Sequence, residues 1–149
     1  MLRYREVGNL HKDFHASCSL GMDFLVEKHG EKALAEVLYK MGTQVYASIH
    51  NKLKNDDPSE LLEHLAYFYN REEAEFTLKV TESEIVLTVS SCPAVAHVRQ
   101  LGLPLSRHFC PATAMLNAAL CHDTPWESET RLEQEGQCVQ RFYRKEAQA

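Results

Sequence analysis

Two short stretches of the chain repeat one pattern, Cys92-Pro93-Ala94 and Cys110-Pro111-Ala112. Proline suits the first position of a helix, where an N–H would have no partner, so each cysteine is predicted at the N-cap. A sulfur there faces unpaired backbone N–H groups and the positive end of the helix dipole, and both favour thiolate over thiol. Thiolate is the nucleophilic form and the metal-binding form. Cys92 is the better placed of the two, because a strand hands over to a helix at that point. His97 follows five residues later, and a turn of helix would aim its imidazole at the same cleft as general base or second metal ligand. The plainer alternative is that both cysteines are small core residues that happen to cap helices.

A second group lies near the N-terminus. His11, His15 and Cys18 are spaced by four and three and fall within one arc of a helix, on the edge of its apolar face. A His-x-x-x-His pair can offer two metal ligands, and His15 alone could serve a cleft as acid, base or substrate contact. Cys138 alternates with Gln140 and Phe142 along a strand, which makes it core unless Cys92 and Cys110 converge on it as further sulfur ligands. Cys121 reads as core and its neighbour His122 as solvated. His29, His50 and His64 read as surface helix positions.

The elements that must position these groups follow from periodicity. Residues 9–73 read as helical. Leu10, Phe14, Gly21 and Leu25 recur at helical spacing up to Gly30, and Leu34, Leu38, Met41, Val45, Ile49 and Leu53 form the stripe of a second helix. Asp57 precedes Pro58 as an N-cap followed by proline at the first helical position of a third helix, through Leu61, Leu62, Leu65 and Phe68. The period then becomes two. Phe76, Leu78 and Val80 alternate with polar residues, and after a turn at Glu82-Ser83 so do Ile85, Leu87 and Val89, which predicts a hairpin. The two Cys-Pro helices come next, the first closed by Gly102, and a second hairpin turns at Gly136. Residues 75–144 are thus hairpin, two short helices and hairpin. The expected fold is α+β over residues 1–149 as a single domain, with helices packed on one face of an antiparallel sheet of about four strands.

Composition limits the functions available. The chain has 149 residues, 44% hydrophobic and 25% charged, with a net charge of −5. Those proportions suit a folded globule, and a mildly acidic chain lacks the basic footprint of a nucleic-acid binder. No apolar run is long enough for a bilayer span and the N-terminus has no apolar signal core, so no membrane partner and a cytoplasmic location are expected. Five cysteines, an odd number, with no Cys-x-x-Cys pair, argue against a disulfide framework, a zinc ribbon and a thioredoxin-like redox site.

Several segments together resemble the L-2-amino-thiazoline-4-carboxylic acid hydrolase family. They are His11-Lys12-Asp13-Phe14-His15, Cys92-Pro93-Ala94-Val95-Ala96-His97, Cys110 with Thr113 and Asn117, and Gly136 to Arg144. The likeness runs in order from about residue 10 to 144. It implies hydrolysis of a C–N or C–S bond that opens a thiazoline-type cyclic amidine. Together with the capping argument it implies Cys92 as nucleophile or metal ligand, His97 as general base, and His15, steadied by Asp13, as acid or substrate contact. Thr113, Asn117, Gln140 and Arg141 would bind substrate, with Arg141 as clamp for a carboxylate, although strand alternation lets only one of Gln140 and Arg141 face the site. If the site is metallated, by a transition metal such as zinc, the ligands would be Cys92, Cys110, His97 and His15. A small-molecule substrate is the expected partner, and a homo-oligomer is left open. The competing functions are a non-catalytic metal- or haem-binding sensory module using cysteine and histidine ligands, and a structural or partner-binding domain with an ordinary core.

Overall fold

A computed structural model describes residues 11–146. The chain runs through α1 (Asp13–His29), α2 (Glu31–Lys40), a π-helical turn (Met41–Val45), α3 (Ala47–Lys54) and α4 (Ser59–Arg71). Strands β1 (Glu75–Val80) and β2 (Glu84–Ser91) follow, then α5 (Pro93–Gln100), α6 (Phe109–Cys121), β3 (Trp126–Leu132) and β4 (Cys138–Arg144). The four strands form one antiparallel sheet in the order β1-β2-β4-β3. The fold is α+β, and the helices cover one face of the sheet.

Register sets what that face offers. Val80, Ile85, Phe142 and Ser128 line up across the strands, as do Leu78, Leu87, Gln140 and Thr130, and then Phe76, Val89, Cys138 and Leu132. Successive side chains of a strand alternate in direction, so these three rows share the helix-covered face. Ile85, Leu87, Val89 and Phe142 are buried there with Ile49, Leu53, Leu61, Leu65, Leu120 and Trp126. A smaller cluster of Leu34, Leu38 and Ala112 joins α2 to the start of α6, with Met22, Leu25 and Val26 of α1 against it. The opposite face is solvated. Arg141 there pairs with Glu84 at 2.6 Å and lies 4.4 Å over the ring of Tyr143.

Four expectations about elements are corrected. The single helix expected from Leu34 to Leu53 is broken by the π-helical turn, because Gly42 packs directly on α6: a Cβ there would fall 2.6 Å from the Cβ of Ala119. Pro58 is itself the cap of α4, and Asp57 acts from outside by accepting the N–H of Ser59 at 3.0 Å. In α1 the stripe of Phe14 and Gly21 faces outward and His15, Ala16 and Ser19 are buried instead, because polar partners on other elements receive His15 and Ser19. Ser19 Oγ accepts the N–H of Ser106 at 2.8 Å. His50 is buried, not at the surface, and its Nδ1–H donates to the carbonyl of Leu120 at 2.9 Å. Residues 9 and 10, at the expected start of the first helix, lie outside the described residues.

Candidate functional site

The Cys-Pro-Ala repeats fold differently. Cys92 is the N-cap of α5, in extended conformation, with Pro93 at the first helical position. Its own N–H donates to the carbonyl of Gly136 at 2.9 Å, which ties the start of α5 to the turn between β3 and β4. Gly136 has φ +79°, a left-handed conformation that costs glycine little. Cys110 is not a cap. The helix begins one residue earlier, at Phe109 with His108 as cap, because Ser106 accepts the N–H of both His108 and Phe109 and so starts the turn. Burial first, and then the nearby Cys92 and Cys138, push the Cys110 thiol above its ordinary range. That is the opposite of the thiolate expected at this position.

These elements enclose a cavity of about 200 Å³ at the end of the sheet. Its wall holds Cys92 and Val95 of α5, Phe109, Cys110 and Thr113 of α6, Val89, Cys138 and Gln140 of the sheet, and Tyr69 of α4, while residues 132–137 form the rim. Cys110, Thr113 and Asn117 lie three and four residues apart, which puts them on one face of α6 over the sheet. Three sulfurs thus share one apolar chamber.

The polar end of the chamber is a relay of amides. Asn117 Nδ2 donates to Gln140 Oε1 at 2.9 Å and to Thr130 Oγ1 at 3.2 Å. Gln140 Nε2 donates in turn to the hydroxyl of Tyr69 at 2.8 Å and reaches Cys138 Sγ at 3.5 Å. Tyr69 therefore accepts through its oxygen, and its own O–H has no acceptor among the described residues. Burial is the main reason that this phenol is held well above the ordinary tyrosine range, so it keeps its proton. Burial likewise pushes Cys138 up, an effect that the Gln140 donor partly opposes. The chamber therefore combines a thiol at a helix N-terminus, two further thiols and one phenolic proton free to be donated.

The other expected site residues stand elsewhere. His97 Nε2 pairs with Asp13 Oδ1 at 2.8 Å, bridging α5 to α1 outside the cavity wall. His15 Nε2 lies 2.9 and 2.8 Å from the two carboxylate oxygens of Glu72, and both residues are buried. Asp13 therefore steadies His97 and not His15. The His15 ring meets Phe109 edge-on at 6.2 Å, so it backs the cavity without lining it. Arg141 faces away from the cavity on the solvated side, and Gln140 faces it, as alternation requires. Cys121 is buried, with its thiol pushed up to about 12 by that burial, and His122 is exposed. His11 and Cys18 are exposed while His15 is buried, so the three do not act together.

The four residues expected as metal ligands do not converge. Among the described residues no group of three His, Cys, Asp or Glu side chains is arranged to hold a metal ion. His97 and His15 each turn Nε2 to a carboxylate, of Asp13 and Glu72 respectively, rather than toward the sulfurs of Cys92 and Cys110. Among the described residues no helix is long and apolar enough to cross a membrane. No family model matches the chain, and no match was found among curated proteins.

Sequence reasoning missed Tyr69 and, apart from Gly136, the rim at residues 132–137. A signal for Tyr69 existed, because the apolar stripe of Leu61 and Leu65 reaches it at the next four-residue step, which makes it an inward position bearing a hydroxyl.

Proposed function

We propose that the chain is a small-molecule hydrolase that opens a cyclic amidine of thiazoline type in this cavity, with Cys92 as nucleophile. One observation carries the reading: the N-cap sulfur of α5 shares an apolar chamber with a phenol whose proton has no acceptor among the described residues. The resemblance described above supports the same substrate class.

The step needs one water and no oxidant. Sγ of Cys92 bonds to the ring carbon between nitrogen and sulfur. The bond from that carbon to the ring sulfur breaks, and the sulfur leaves with the bonding pair and takes up the proton that the thiol released. Tyr69 O–H hydrogen-bonds the ring nitrogen and stabilises the charge that gathers there. Water then adds to the same carbon, the Sγ–C bond breaks, and Cys92 recovers its proton. An open-chain thiol bearing a urea is left. In this reading His97 and His15 touch no substrate atom, and each holds its helix through a carboxylate. No side chain acts as general base in this step, because the thiol proton passes to the leaving sulfur, and Tyr69 serves as hydrogen-bond donor.

The test is turnover of 2-amino-2-thiazoline by the purified protein, followed as released thiol and as urea product by mass. Cys92→Ser is expected to lower the rate by ~10³-fold or more while circular dichroism is unchanged, as for loss of a covalent nucleophile. Undiminished turnover in that variant, or none in the wild type, ends the proposal. Stoichiometric metal or a visible absorption band in the purified protein would instead favour the sensory module.

A further inference from the structure

The walls of the cavity are specific about charge. Among the described residues no Lys, Arg or His lines it. Its two charged lining residues, Glu133 and Glu135, are exposed at the rim, and each already has a cation. Glu133 accepts from Arg131 Nε at 2.6 Å, and Glu135 is gripped by both Arg99 Nε, at 3.2 Å, and the adjoining guanidinium nitrogen. Arg141, the cation the resemblance offers for a substrate carboxylate, is committed to Glu84 on the far face of the sheet. A carboxylate brought inside would be desolvated with no cation among the described lining residues to pair it, which is costly. Drawing Arg99 inward to meet it would strip Glu135 of its partner.

The walls are equally specific about hydrogen bonding. Tyr69 presents a donor fixed in place by Gln140 and Asn117, and Thr113 adds a hydroxyl that can turn. The remaining wall is hydrocarbon, aromatic ring and sulfur. A space of about 200 Å³ suits a five- or six-membered ring with a short substituent, since an apolar cavity of about 150 Å³ takes benzene.

We propose that the cavity selects a heterocycle in its neutral form, the ring nitrogen accepting from Tyr69 O–H, and rejects analogues that carry a carboxylate; a basic cyclic amidine such as 2-amino-2-thiazoline binds after giving up its proton. This rests on the hydrolase reading and narrows it, because it sets the substrate class apart from the carboxylate-bearing thiazoline of the family that the chain resembles. Tyr69 is the specificity-determining residue.

Three inert probes that share a five-membered sulfur ring test it by calorimetric titration of the whole chain near neutral pH: thiazole, thiazole-4-carboxylate and thiophene, which lacks the nitrogen acceptor. Thiazole is expected to bind ~10-fold or more tighter than its carboxylate, the factor that one modest hydrogen-bond-sized difference produces. Tyr69→Phe is expected to weaken thiazole by ~10-fold and to leave thiophene unchanged. Equal or tighter binding of the carboxylate, no binding of thiazole, or a thiazole affinity indifferent to Tyr69→Phe overturns the proposal. The carboxylate comparison uses the wild-type protein, so it stands even if the variant misfolds. The expected binding pattern without turnover of 2-amino-2-thiazoline would remove the hydrolase reading and leave this one intact. Turnover with preference for a carboxylate-bearing ring would do the reverse.

Discussion

Gln140 and Arg141 are neighbours on β4 with opposite fates. Gln140 is buried, with Oε1 served among the described residues by Asn117 alone, while Arg141 is exposed beside Glu84. A buried acceptor stripped of its donor costs about 1–3 kcal/mol, whereas an exposed ion pair contributes roughly 0–1 kcal/mol. Asn117→Ala is therefore expected to destabilise the protein by about 1–3 kcal/mol in urea unfolding, and Arg141→Ala to stay within about 0.5 kcal/mol of wild type. Comparable losses for both would show that the relay is not fixed as described. The two-residue repeat made that contrast visible in the sequence, because it placed Gln140 and Arg141 on opposite faces. The partners of His15 and His97 were not visible. Each pairs with a carboxylate on another element, 57 and 84 residues away, and no local spacing encodes such a contact.

At the scale of elements, the hairpins were legible because alternation survives tertiary packing, and both turns fall where the polar or glycine residues stand. The break between α2 and α3 was not, since a π-helical turn inserts its extra residue without interrupting the apolar stripe. Its cause lies 77 positions along the chain, where Ala119 meets Gly42. The same reasoning separates two glycines that look alike in sequence. Gly21 in α1 has nothing within 4 Å of an added Cβ, so Gly21→Ala is expected to stabilise by about 0.5–1 kcal/mol, the ordinary helix-interior gain. Gly42→Ala would drive a methyl to 2.6 Å from the Ala119 Cβ and 3.0 Å from its backbone carbon, neither of which is a flexible tip. Overpacking of this kind costs about 1–3 kcal/mol, and because α6 carries Cys110 and Thr113 the strain is transmitted towards the cavity. Opposite signs for the two variants in urea unfolding are the expected result. A stabilised Gly42→Ala protein would mean that α6 is not pressed against the π-helical turn.

At the scale of the whole molecule, α6 takes part in both buried clusters, through Ala112 near its start and Leu120 and Cys121 at its end, so the helical layer and the sheet are expected to unfold together. Acid tests that cooperative unit through a group remote from the cavity. His64 of α4, expected at the surface, is instead half-buried: it packs between Tyr46, at 5.3 Å, and Phe68, at 5.9 Å, and burial pulls its imidazole down to about 4. In the unfolded chain the same group titrates near 6.5. Between those values the unfolded chain binds the proton and the folded protein does not, so stability falls as pH drops from about 6.5 to about 4 and then levels off for this group. Full conversion of that interval gives roughly 3 kcal/mol, and partial exposure reduces it to on the order of 2 kcal/mol. Asp57, held at about 2 chiefly by its hydrogen bonds to Ser59, acts in the next window down, where stability is lost below about 3.8. The two contributions therefore separate on the pH axis. Replacing the imidazole with a ring that cannot titrate, His64→Phe, is expected to flatten the unfolding free energy between pH 6.5 and 4 and to leave the lower limb unchanged. Urea midpoints taken across that range read the difference directly. An unaltered slope would place the imidazole of His64 in water, outside the layer that joins α4 to the rest of the fold.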